Sequence, residues 1–279
     1  QATSPNPARA CPQGTRKTTG VTGAERVNLG GNANDEFHNC EARISADGKT
    51  LYYNHRHNLP ASGGGGVYRS RWDGSQWSAP ELLVAGGTSP APTRDESRIY
   101  YVGERSALAV LERQGPRYVS KAVVFEANTP LVKNPAVSPD GNTLVFVGPE
   151  MNALWTSRRN PTTDTWTTPV LMSRTLNGSG VTWHPFIGYD GKRLLYNTSS
   201  PEIVGETLGI DDAEKIVESI WDESTRSWGA PRVLGEFGCS PSLTEDGRHL
   251  YYGGRFEGGK GGLDVWTEKI GDAEKEPRE

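Results

Sequence analysis

Four histidines, His38, His55, His57 and His184, and the carboxylate of Glu41 are the side chains best suited to move protons or ligate a metal. As acid-base groups, His184 and Glu41 would serve a polysaccharide hydrolase or lyase, with Arg56 or Arg255 clamping a sugar carboxylate through a forked guanidinium. As ligands, imidazole and carboxylate would hold a divalent ion at ~2.0–2.2 Å near Glu41 and His184. The spacing argues against the metal. His55 and His57 alternate around Arg56 and no tight ligand motif occurs, so structural and hydrogen-bonding roles lead and no cofactor is expected. A glycosidase needs two carboxylates ~5–9.5 Å apart. The candidates are Glu41, Glu104, Glu150 and Asp264, with Asp35 and Glu36 on the approach, and none carries a supporting motif. Nucleophile elbow, phosphate loop and zinc-helix motifs are all absent.

These residues need a scaffold, and internal repetition supplies it. Asp47-Gly48-Lys49-Thr50-Leu51-Tyr52-Tyr53 recurs as Asp140-Gly141-Asn142-Thr143-Leu144-Val145-Phe146, as Asp190-Gly191-Lys192-Arg193-Leu194-Leu195-Tyr196 and as Asp246-Gly247-Arg248-His249-Leu250-Tyr251-Tyr252. Asp95-Glu96-Ser97-Arg98-Ile99-Tyr100-Tyr101 is a degenerate copy, and successive Asp positions lie 48, 45, 50 and 56 residues apart. That period signals repeated four-stranded units. A short strand leads into each Asp-Gly turn and an aliphatic-aromatic strand leaves it. A third strand follows, then an outer one whose start is marked by Trp and Pro, as in Trp77-Ser78-Ala79-Pro80, Trp166-Thr167-Thr168-Pro169 and Trp228-Gly229-Ala230-Pro231. The fifth copy lacks its outer strand, and Gly23-Ala24-Glu25-Arg26-Val27 matches Gly229-Ala230-Pro231-Arg232-Val233. The expectation is an all-β, five-bladed β-propeller over residues 20–270, its last blade closed by an N-terminal strand from 22–30. Tails are expected at 1–19 and 271–279.

Composition agrees. The chain carries 8 Trp, 10 Tyr, 19 Pro and 34 Gly but only 2 Met, a balance that suits strands and turns. With 30 Lys+Arg against 34 Asp+Glu, a net charge of −4 and no basic block, nucleic acid is not an expected partner. No apolar run reaches the ~18–20 residues of a membrane span. An opening at Gln1 followed by a small, polar stretch reads as a secreted or periplasmic protein after signal-peptide removal.

The runs Asn134-Pro135-Ala136-Val137-Ser138-Pro139-Asp140-Gly141 and Ser240-Pro241-Ser242-Leu243-Thr244-Glu245-Asp246-Gly247 resemble the repeat of TolB-type (WD-repeat-like) β-propellers. The glycine-rich loop 255–264 resembles a segment common in envelope-associated members. The likeness covers residues 38–270. It implies a bacterial protein of the periplasm or cell exterior and leaves function open, because the superfamily includes adaptors, peptidase-associated propellers and polysaccharide-acting enzymes.

In such a ring the Asp-Gly turns crowd one face, and the long irregular loops crowd the other, where a ligand is expected. Six residues before each motif Asp stand Glu41, Ser89, Asn134, His184 and Ser240. The reading preferred for them is a narrow polar channel whose groups satisfy one another, ahead of direct ligand contact. Trp183 beside His184 suits sugar stacking or, equally, packing between blades. Arg56 and Arg255 occupy matching positions and pair with Glu41 or Asp264 in the preferred reading. His38 and His55 complete the candidate ligand-binding set. Cys40 and Cys239 sit at matching positions in neighbouring blades and are the disulfide candidate, with Cys11 as the competing partner and two buried thiols as the alternative. Loop 199–215, with Asp211-Asp212-Ala213-Glu214 as a candidate helical turn, reads as solvated surface. The function expected is a monomeric binding propeller that recognises a glycan, peptide or envelope protein at the channel mouth. The alternative is a carbohydrate-active enzyme at the same place.

Overall fold

The computed structural model describes residues 25–34, 38–56, 65–126, 130–148, 152–207, 215–235, 238–260 and 262–270. Both expected tails, His57, Asp35, Glu36, Glu150 and the candidate helical turn at 211–214 lie outside the described residues.

Five sheets, antiparallel apart from one short outer pair, stand around an axis, each blade starting with its innermost strand. A short amino-terminal strand, β1 (Arg26–Asn28), precedes them. Blade one is β2 (His38–Ile44), β3 (Thr50–Arg56), β4 (Gly65–Arg71) and β5 (Glu81–Ala85). Blade two is β6 (Thr88–Pro92), β7 (Arg98–Val102), β8 (Leu108–Gln114) and β9 (Arg117–Ala122), and the short strand that follows, β10 (Val124–Phe125), joins the sheet of blade three. Blade three is β11 (Lys133–Val137), β12 (Thr143–Val147) and β13 (Leu154–Asn160), with β14 (Thr165–Trp166) and β15 (Val170–Leu171) outside. Blade four is β16 (Thr182–Ile187), β17 (Arg193–Thr198) and β18 (Lys215–Asp222), with β19 (Ser227–Trp228) and β20 (Arg232–Gly235) outside. Blade five is β21 (Cys239–Leu243), β22 (His249–Gly254) and β23 (Asp264–Lys269). Neighbouring inner strands touch all the way round, including β2 against β21. The protein is a five-bladed β-propeller, and no helix among the described residues is long and apolar enough to cross a membrane.

Closure follows the expected exchange. β1 pairs antiparallel with β23, placing Arg26 opposite Glu268, as Arg232 stands opposite Glu218 in blade four. The Arg26 guanidinium lies 3.5 Å from the centre of the Phe256 ring and its Nε donates to the Tyr252 hydroxyl at 2.8 Å.

The repeat motif folds by one local rule. Each motif Asp accepts the backbone N–H two residues on at 2.8–3.0 Å, closing an Asx turn. In four blades the hydroxyl two residues before it (Ser45, Thr93, Ser138 or Thr244) also donates to that Asp. Gly188 occupies this place in blade four. The residue after the Asp takes a left-handed φ of 67–72° where it is Gly48, Gly141, Gly191 or Gly247, and of 55° at Glu96 in the degenerate copy. The next apolar residue, Leu51, Ile99, Leu144, Leu194 or Leu250, is fully buried, each contributing roughly 1.5–3 kcal/mol.

One detail differs from expectation. Trp166 and Trp228 do not open the outer strands but end the hairpins that β13 and β18 make with β14 and β19. The outer strands β15 and β20 begin after Pro169 and Pro231. Proline has no N–H for the ladder, so pairing stops there and resumes displaced.

Candidate binding site at the channel

All five inner strands break at the same place. The ladder shifts register between Cys40 and Arg43, Thr88 and Ala91, Lys133 and Ala136, Trp183 and Phe186, and Cys239 and Ser242. At each break the residue six before the motif Asp is left-handed: Glu41 (φ 54°), Ser89 (53°), Asn134 (44°), His184 (52°) and Ser240 (54°). Such a conformation costs a non-glycine residue roughly 1–2 kcal/mol, and a bulge re-aims the side chain it carries. Proline follows in four of the five, as Pro90, Pro135, Pro185 and Pro241, where a missing N–H is tolerated because the ladder is already interrupted.

Glu41 is the hub of this ring. Its carboxylate accepts from Asn54 Nδ2, from the Ser89 backbone N–H at 3.0 Å and from Asn134 Nδ2 at 2.9 Å, drawing on three blades. Asn134 also donates to Ser89 Oγ at 3.3 Å. Across the ring, His184 Nε2 lies 4.0 Å from Glu41 Oε1. Burial pushes the His184 imidazole down to about 4, against the opposing pull of Glu41 and with the help of Arg43, so it is neutral at pH 7. Asn54 and Asn197 play the same part in their blades: each side-chain oxygen accepts the backbone N–H of the next blade's left-handed residue, Ser89 at 3.0 Å and Ser240 at 3.1 Å.

Beneath the ring, side chains bridge the axis. Arg43 reaches the carbonyls of Pro185 at 2.9 Å and Pro241 at 3.2 Å, and the Tyr189 hydroxyl donates to the Ile44 carbonyl at 2.6 Å. Arg43 is absent from the expected set although a signal for it exists. It stands four residues before its motif Asp, where the other copies carry Ala91, Ala136, Phe186 and Ser242.

The remaining expected residues are placed as follows. His55 is buried edge-on to Tyr68, ring centres 5.4 Å apart. Trp183 is 7% exposed and packs with Val147, Leu176 and Tyr196, with Lys133 Nζ 5.1 Å from its ring centre. The between-blades alternative is therefore the one observed, and the indole offers no open face for a sugar. Asp264 is buried and accepts from Asn28 Nδ2 at 3.0 Å and the Lys260 N–H at 2.6 Å. Arg255 is half-buried. His38 and Arg56 face each other in register at the end of the β2–β3 ladder. Glu104 is exposed in a single turn between β7 and β8. Among the described residues no group of three or more His, Cys, Asp or Glu side chains is arranged to hold a metal ion.

The expected Cys40–Cys239 bond is not made. Cys239 is disulfide-bonded while Cys40 stands as a buried thiol, though both pack against Leu263. The Cys239 sulfur is committed elsewhere, and the competing partner, Cys11, lies outside the described residues.

The Asp-Gly face carries a cleft of about 540 Å³ between blades two and three, lined by Arg94, Arg98 and Arg159. Its cations already have acidic partners: Arg98 has Glu112 and Asp164, Arg159 has Asp164 and Arg94 has Glu245.

No protein-family model matches the chain, and no curated protein matches its sequence. Solved structures match by shape. A hypothetical protein from Leishmania major shares 13% identity at a TM-score of 0.54, over 88% of this chain and 90% of that one. A protein described as TolB from Agrobacterium tumefaciens shares 13% identity at a TM-score of 0.50, over 82% of this chain and 73% of that one. TolB from Acinetobacter baumannii shares 18% identity at a TM-score of 0.48, over 81% of this chain and 51% of that one, so the chain spans about half the length of that relative. At these identities the likeness is one of fold, and the chain is a five-bladed β-propeller similar in shape to TolB proteins.

Proposed function

We propose that this protein is a binding module, secreted or periplasmic and monomeric, that recognises a glycan, peptide or envelope protein at the channel mouth. The observation that carries the reading is the state of Glu41. Three donors from three blades occupy its carboxylate, and His184 beside it is neutral with a basicity near 4. A general acid or base works best with a pKa near the operating pH and a free proton path, which suits this pair poorly to hydrolase or lyase chemistry. A rigid ring whose one central carboxylate is already engaged by three blades suits a scaffold that presents loops. The disulfide at Cys239 supports an oxidising compartment. The burial of Trp183 favours a peptide or protein over a sugar ring as the ligand.

The test pairs a peptide and glycan array and an envelope-fraction pull-down with turnover assays on polymeric sugars, using wild type, Glu41→Ala and His184→Ala. Saturable binding that weakens in graded fashion in the variants supports the module. Sugar-polymer turnover that collapses in either variant overturns it in favour of the enzyme.

A further inference from the structure

Arg43 is 2% exposed, yet every hydrogen bond it makes goes to a backbone carbonyl: Ala42, Pro185 and Pro241. Glu41 acts on it as a field from a distance rather than as a contact. A guanidinium taken out of water without a counter-charge beside it is costly. Its Nε also has no hydrogen-bond partner, and neither do Nδ1 of His184 nor Oγ of Ser240. Those two residues are 3% and 0% exposed. They are also the immediate predecessors of Pro185 and Pro241, the two carbonyls that hold the Arg43 head. Three blades thus each carry a buried, unsatisfied polar atom on a residue at or next to the contacts of the Arg43 head.

We propose that Arg43, His184 and Ser240 form a binding site for a small monovalent inorganic anion of chloride size, inside the channel where blades one, four and five meet. Arg43 Nε–H, the Ser240 hydroxyl and the Nδ1–H tautomer of neutral His184 all donate to it. A water molecule would accept hydrogen bonds there but would leave the guanidinium without an opposite charge, whereas a halide supplies both. Multiply charged anions are disfavoured because Glu41 stands 4.0 Å from the far nitrogen of the same imidazole. Bound there, the anion ties blade one to blades four and five from within, on the inner side of the seam that β1 closes from without.

Two measurements on the full chain test this. Crystals grown in sodium bromide should show an anomalous peak within hydrogen-bonding reach of Arg43 Nε. The melting temperature should rise saturably with sodium chloride and not with sodium gluconate at equal ionic strength. Ser240→Ala, which removes one donor and little volume, should raise the half-saturating chloride concentration ~10-fold. Arg43→Met should abolish the chloride response, and if that variant does not fold, Ser240→Ala still decides. Water density at the site without a bromide peak, or identical melting in chloride and gluconate, overturns the proposal.

Discussion

Arg26 Nε lies 3.6 Å from the Glu268 carboxylate, directly opposite it in the β1–β23 register. The Glu268 side chain is fully buried and that of Arg26 nearly so, so the contact locks the amino-terminal strand to the last blade. Removing one member of a buried pair costs about 3–5 kcal/mol. Arg26→Ala should therefore lower the unfolding free energy by about 3 kcal/mol in urea titration. A loss below ~0.5 kcal/mol would mean that β1 contributes nothing to closing the ring.

His184 makes stability depend on pH in a defined direction. Its folded pKa, about 4, is below the ordinary value of 6.5, so between these values the unfolded chain takes up a proton that the folded chain refuses. Stability rises with pH across that window and is lost as pH falls from about 6.5 towards 4, by on the order of 3 kcal/mol in total. Urea titrations at several pH values should show a slope that is shallower in His184→Gln. The His184 ring proton should not shift in NMR spectra above pH 5. An imidazole titrating near 6.5 would contradict the burial assigned to it.

Gly141 has a φ of 72° and room for a methyl group, the nearest atom being a Thr93 methyl at 3.5 Å. Gly141→Ala therefore reads backbone strain alone and should cost about 1–2 kcal/mol. A thermal or urea midpoint equal to wild type would show that the turn relaxes, as it already accommodates Glu96 in blade two at a φ of 55°.

Thiol counting checks the cysteine assignment. Cys40 is buried and Cys239 is disulfide-bonded. The native protein should leave a thiol reagent unreacted, the unfolded and unreduced protein should react at Cys40, and Cys40→Ser should abolish that signal. Persistence of the signal in Cys40→Ser would reverse the assignment.

The ring was legible because backbone strain recurs in register with the motif. Counting six back from each Asp finds five residues of unrelated chemistry, and all five prove left-handed because the fold asks one thing of that position whatever the side chain. Arg43 escapes the same count because its importance comes from convergence. Only the assembled ring shows that its head reaches two carbonyls more than a hundred residues away. Trp183 shows the reverse: an aromatic beside an imidazole reads as a platform in one dimension, while neighbouring blades cover it in three. Cys40 and Cys239 match by position, but matching position does not decide which sulfurs bond.

The parallel pair β10–β14 carries the segment that leaves the outer strand of blade two onto the rim of blade three, and the Glu126 N–H reaches the Trp166 carbonyl at 2.7 Å. Main-chain stitching at this joint makes these two blades a single mechanical piece. Under load or partial melting they should move together, so their rim amides should exchange with deuterium as one cohort.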